Sequence, residues 1–194
     1  MNETANVSAL GYAAFALTLW LTSMGSAGWF AEPANALLPL LVITLGGCVL
    51  ALAGIMQWVR GHTLDTVLFL AFAAYWGVAA LHQSFMPGPF APSHGFTGWY
   101  EIVWAFLAFC VFLAACKDGV ARMLFALGLT LSLLSYALDA WTGLGALTVL
   151  GGYLGLVTAV VGIYIAAAEM INETSGHVVL PLGESTQDGK SGMP

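Results

Sequence analysis

Few residues in this chain are of types that do chemistry, and their spacing excludes most reactions. Cys48, Cys110 and Cys116 lie within or at the end of apolar runs without Cys-x-x-Cys spacing, so neither zinc nor a disulfide framework is indicated. Small buried packing residues are expected instead. His62, His82, His94 and His177 fall at run ends, in connections or in the tail, and no pair has the helical spacing of three or four used for metal or haem ligation. His82 and His94 are candidates for sensing pH. There is no Gly-x-Ser-x-Gly elbow, His-Glu-x-x-His helix or Gly-rich phosphate loop. Hydrolytic, metal-dependent and ATP-driven chemistries lose support, and neither an enzyme nor a cofactor is expected.

Carboxylates beside apolar runs remain, because an ionisable group inside a bilayer is costly unless it is hydrated, paired or protonated. Glu101 stands two residues into one run and Asp139 just past another; both read as hydrated helix-end groups. Glu169 is still followed by apolar Met170-Ile171, which makes it the candidate for proton or ion coupling. Thr18, Thr22, Thr44, Thr130, Ser132, Ser135 and Thr158 either line a path or bond back to their own helices. No Lys or Arg stands in the middle of any run. A crossing solute must then be neutral, travel with a proton, or be held by hydroxyls and backbone amides.

The elements that position these groups follow from composition. The 194 residues are 60% hydrophobic and 7% charged, with mean hydropathy +0.89, where soluble domains run near a quarter charged. Four Lys/Arg against ten Asp/Glu give a formal charge of −6 and exclude a nucleic-acid partner. The expected fold is an all-α integral membrane protein, a bundle of six transmembrane helices in the lipid bilayer. The apolar runs are Ala9–Leu21, weakening through Thr22–Gly28 toward Trp29 and Phe30, then Ala36–Trp58, Leu64–Leu81, Trp99–Cys116, Val120–Ala137 and Leu147–Met170. Residues 1–8 form an N-terminal segment, 9–171 the transmembrane domain and 172–194 a polar tail. The acidic start lacks a basic segment and a small-residue cleavage site, so a removable signal peptide is not expected.

Arg60, Lys117, Arg122 and Lys190 all belong to connections or the tail on the side that holds both termini. Cations are retained in the cytoplasm, so both termini are expected there, with the chain in the cytoplasmic (inner) membrane. The Gln83–Gly98 connection, with Met86-Pro-Gly-Pro and Ala91-Pro-Ser-His, is too rich in Pro and Gly for a helix and reads as an outer loop. Gly151, Gly155 and Ala159 recur every fourth residue, with Gly162 one heptad after Gly155, and Gly47 and Gly54 form a second heptad pair. Such stripes let helix backbones approach closely.

Several motifs resemble the acetate uptake transporter family of succinate–acetate transporters. Asn6-Val-Ser-Ala-Leu-Gly11 resembles its Asn-Pro-Ala-Pro-Leu-Gly signature, and the likeness continues through Gly46-Gly47, Ala53-Gly54, Arg60-Gly61-His62-Thr63 and Tyr75-Trp76. It extends over Lys117-Asp-Gly-Val-Ala-Arg122 to Ala168-Glu169-Met-Ile-Asn172-Glu173 and Val179-Leu-Pro-Leu-Gly-Glu184. The resemblance implies a homohexamer whose protomers each carry a path for a small carboxylate, usually with a proton. It implies a hydrophobic constriction at Phe15, Phe72 and Leu131, a path-facing Gly162, and Asn6 and Leu10-Gly11 in a cytoplasmic vestibule; the polarity of Thr18 adds it to the candidates along the path.

Departures from the pattern refine that expectation. Val7 and Ala9 replace the two prolines, Phe72 replaces a Tyr, Leu50 a Gln and His62 an Asn. A path without the Tyr hydroxyl favours acetate or another monocarboxylate over succinate. A ring of apolar side chains disfavours hydrated ions by dewetting. A passive channel for undissociated acid, urea or ammonia is the alternative, and a membrane sensor that moves nothing is a further one.

Overall fold

The structure, a computed structural model, describes residues 5–30, 37–85 and 92–183. Six helices in it are long and apolar enough to cross a membrane: α1 (Val7–Ser26), α2 (Leu38–Arg60), α3 (Thr63–Phe85), α4 (His94–Ala115), α5 (Val120–Thr142) and α6 (Gly145–Ser175). No strand occurs among the described residues. The expected six-helix bundle is present, with helix ends that differ informatively. The Asn6 side chain accepts from the Ser8 N–H at 2.9 Å, which starts α1 at Val7 rather than Ala9. Ser93 Oγ accepts from the Phe96 N–H, so α4 begins at His94 instead of Trp99 and carries Glu101 inward. Left-handed Gly143 and Gly176 end α5 and α6 past the expected Ala137 and Met170, which places Asp139 and Glu169 inside helices. Ala36, the centre of the Pro/Gly-rich connection and the end of the tail lie outside the described residues.

The helices pack in a ring: α1 against α6, α6 against α5, α5 against α4, and α3 against α2, with α1 also touching α2 and α3. The α3 and α4 backbones meet at few places, and aromatic side chains fill that seam. The glycine stripe of α6 forms the α1–α6 and α5–α6 contacts. A Cβ on Gly152 would strike the backbone of Ser26 and Ala27, and one on Gly162 would lie 2.8 Å from the Phe125 ring and 2.9 Å from Ala16 Cβ. In α2 a π-helical stretch, Val42–Val49, holds Gly46 where the Thr18 methyl reaches within 2.7 Å of a Cβ position. Of the mild polar residues, Thr18, Thr22, Thr44, Thr130, Ser135 and Thr158 bond back to their own helices. Ser132 instead crosses to the Gly151 carbonyl at 2.8 Å.

One expectation is corrected. The three cysteines are free but exposed, not buried, because Cys48 and Cys110 lie on helix faces turned out of the bundle and Cys116 lies in the turn after α4. The first part of the tail is also ordered against the helices. Asn172 accepts from the N–H groups of Val179 and Leu180 and donates to the Leu180 carbonyl. Tyr164 donates to the Pro181 carbonyl at 2.7 Å. This folds the strap back so that the Leu182 and Gly183 carbonyls accept from Ala121 and Val120, capping otherwise unpaired donors at the start of α5.

Gly152→Val is expected to lower thermal stability in detergent by about 1–3 kcal/mol, because backbone cannot yield as a side chain does. Gly77→Ala, with nothing within 4 Å of its Cβ position, should be neutral or stabilising; equal melting shifts for the two would contradict this packing. Asn172→Ala should speed amide exchange across 179–182 by about tenfold, the effect of losing the strap's hydrogen bonds; unchanged exchange would show that other contacts fasten it.

Candidate functional site

The polar groups that the helices bury gather at two ends of the bundle, with a line of aromatic rings between them. At the end that holds the α1 N-terminus, Asp65 in the first turn of α3 is 4% exposed. It accepts from Ser8 Oγ at 2.9 Å, Gln57 Nε2 at 3.0 Å and Tyr12 Oη at 3.4 Å. Three donors from α1 and α2 thus compensate a carboxylate that burial would otherwise make costly.

Arg122, in the first turn of α5, adjoins the same group. Its Nη2 donates to Glu169 at 2.5 Å and to Ser8 Oγ at 3.4 Å, its Nη1 pairs with Asp118, and its guanidinium lies 5.8 Å from the centre of the Tyr12 ring. Glu169 also accepts from Asn6 Nδ2 at 2.5 Å. Glu173 receives the Asn6 N–H, and Arg60 donates to the Ala5 carbonyl at 2.6 Å. Only α4 contributes nothing to these contacts. The cation that sequence position marks only as a topology signal is therefore also the centre of an ion-pair network.

The middle is apolar. Phe15 on α1 lies 5.2 Å from Phe72 and 4.5 Å from Trp76 on α3, and 5.0 Å from Phe125 on α5, centroid to centroid. Tyr12 closes one end of the line through Phe125 at 5.4 Å, and Tyr75 meets Phe72 at 5.9 Å toward the other. At that far end Tyr75 donates to the Glu101 carboxylate at 3.2–3.3 Å and stacks on Tyr100. Glu101 is 9% exposed, which corrects its reading as a hydrated helix-end group. A 340 Å³ cavity between α3 and α4 opens beside it, lined by Tyr75, His82, Phe96, Thr97, Tyr100 and Glu101 among others. Asp139 accepts from Thr148 Oγ1 at 2.7 Å, a partner that bulk water supplies in the interfacial reading.

Of the residues expected to line a path, Phe15 and Phe72 are brought into contact in the core. Leu131 is not: it is 42% exposed on a stripe of α5 shared with Leu124 and Leu138, and α5 reaches the aromatic line through Phe125. Gly11 packs under the Phe69 ring, Thr18 bonds back to the Ala14 carbonyl, and Gly162 receives Phe125 and Ala16. Asn6 and Glu169 are joined as described, whereas Leu10 faces an apolar groove shared with Leu17, Ile163 and Met170.

Sequence reasoning missed Ser8, Tyr12, Gln57, Asp65 and Phe125 as members of this arrangement. The available signal was positional: Ser8, Gln57, Asp65 and Arg122 each lie within two turns of a helix end on the side where the cations lie.

Comparison with known proteins agrees with this architecture over nearly the full chain. The family described as GPR1/FUN34/yaaH matches residues 1–184. The succinate-acetate/proton symporter SatP of Escherichia coli (strain K12) is 28% identical over 185 residues, covering 94% of this chain and 97% of that protein. A protein of Methanothermobacter thermautotrophicus is 28% identical over 191 residues, covering 93% and 92% of the two chains. The solved structure of the bacterial acetate channel SatP aligns with a TM-score of 0.87 at 24% identity, over 93% of this chain and 100% of that one, and so shares its fold. With a family match that spans all six helices, the chain belongs to the GPR1/FUN34/yaaH family.

Proposed function

We propose that this multi-pass membrane protein transports acetate or a similar small monocarboxylate, through a path within each protomer. The observation that carries the reading is the aromatic line from Tyr75 through Phe72, Phe15 and Phe125 to Tyr12, with polar groups at both ends and none of the described cations Arg60, Lys117 and Arg122 inside it. The relatives support it, since one is named as a succinate-acetate/proton symporter. Phe15 and Phe72, with Phe125, form the constriction in this reading. Rings packed this closely exclude a hydration shell, so the solute crosses with little water.

Beyond the constriction, at the end that holds the α1 N-terminus, the solute meets the Arg122 group. The guanidinium there is engaged by Asp118 and Glu169, so the carboxyl group of the solute competes with Glu169 for it. That exchange is the coupling role we assign to Glu169. Gly162 keeps Phe125 in place because any Cβ would press on its ring. Homohexameric assembly in the inner membrane with both termini cytoplasmic belongs to the same reading, supported by the family pattern and by the side on which Lys and Arg lie.

Labelled acetate should enter liposomes that carry the purified protein, saturably and faster with an inward proton gradient. Uptake no greater than in empty liposomes would end the transport reading, and flux that follows only the undissociated acid without saturation would favour the passive channel. Phe72→Ala should raise acetate flux severalfold or loosen selectivity, and Phe72→Tyr should raise succinate flux relative to acetate by restoring a donor. Unchanged flux and selectivity in both variants would remove Phe72 from the constriction.

A further inference from the structure

The cavity between α3 and α4 has no part in the path as drawn so far, yet it holds a buried carboxylate beside the aromatic line. Among the described residues, the titratable side chains around Glu101 are phenols and an imidazole. Tyr75 donates to it from α3, Tyr100 adjoins it on α4, His82 of α3 lines the same cavity, and Tyr136 of α5 lies within electrostatic range of it. The described cations Arg60, Lys117 and Arg122 belong to the opposite end of the helices. An anionic Glu101 therefore repels an incoming anion in a region where charge is poorly screened. Neutralisation by a proton removes that repulsion and turns the same group into a hydrogen-bond donor.

Resting on the carboxylate-transport reading, we propose that this cavity is the outer proton-exchange site of the path, where Glu101 takes a proton from the outer solution and gives it to the entering carboxylate. The step balances without any other reactant. The O–H bond of the Glu101 carboxylic acid breaks as an O–H bond forms on a carboxylate oxygen of the substrate. The substrate leaves as the neutral acid, and Glu101 is left as the anion. Donor and acceptor are the same functional group, so the transfer has little intrinsic bias in either direction.

Tyr75 is a positioning residue. Its hydroxyl donates to both Glu101 oxygens at 3.2–3.3 Å, which supports the anion until water delivers the next proton. Its ring meets Phe72 at 5.9 Å, so the neutral acid formed in the cavity stands at the start of the aromatic line. An apolar constriction passes that form more readily than the anion. The same geometry accounts for a buried acid at a position where a simple lining residue would be apolar.

The test uses the full-length protein in liposomes with a trapped pH indicator, reading labelled acetate and internal acidification together after subtraction of empty liposomes. Glu101→Gln keeps a hydrogen-bond donor but has no proton to give. Net uptake with acidification should fall at least about tenfold, as expected when a proton-transfer group is removed, while exchange of internal for external acetate falls less. Tyr75→Phe should move the midpoint of the outer-pH profile to more alkaline values by about one pH unit, the effect of removing one donor to an anion. Normal acetate flux with unchanged acidification in Glu101→Gln overturns the inference and leaves the transport reading intact. No acetate flux in the unsubstituted protein overturns both. Should Glu101→Gln fail to assemble, Tyr75→Phe decides alone, and an unchanged pH profile overturns the inference.

Discussion

A carboxylate held inside an apolar bundle must be given donors, and the bundle is organised around meeting that requirement for Asp65. Ser8, Tyr12 and Gln57 reach it from two other helices, and Ser8 and Tyr12 in turn meet Arg122. Arg122 then needs its own counter-charges, which Asp118 and Glu169 supply, and Glu169 holds Asn6. One chain of compensation thus fixes the relative positions of α1, α2, α3, α5 and α6 at one end. Removing Arg122 leaves the part-buried Glu169 carboxylate without its cationic partner, the costly way to break such a pair.

Beyond that end the helices are held by shape. Glycines on α6 let its backbone lie against α1, and the space so defined is filled by Tyr12, Phe15, Phe69, Phe72 and Phe125, all of them almost completely buried. The edge-to-face contacts among these rings add to the area they bury. The α3–α4 seam is the exception, since its backbones stand apart and aromatic side chains with a cavity occupy the gap. The two ends therefore differ in kind: one is a closed network of fixed charges, the other an open cavity lined by the Glu101 carboxylate and phenols. A path between unlike ends suits a solute that changes its protonation or its partners on the way.

The sequence alone determined the number of spans, the shared end of the bundle at which Arg60, Lys117 and Arg122 lie, the family pattern and the small-residue stripe of α6. Each of these depends on position along a helix or on residue type, and length, hydropathy and spacing report both directly. Only the tertiary structure decided that Glu101 is buried, that Leu131 and the cysteines face outward, that Phe125 takes part in the central contact, and that Asp65 and Arg122 share neighbours. The physical reason is rotational. Helices that are apolar on every side carry no polar stripe to mark the face they turn inward, so the direction of each side chain is set by how neighbouring helices pack.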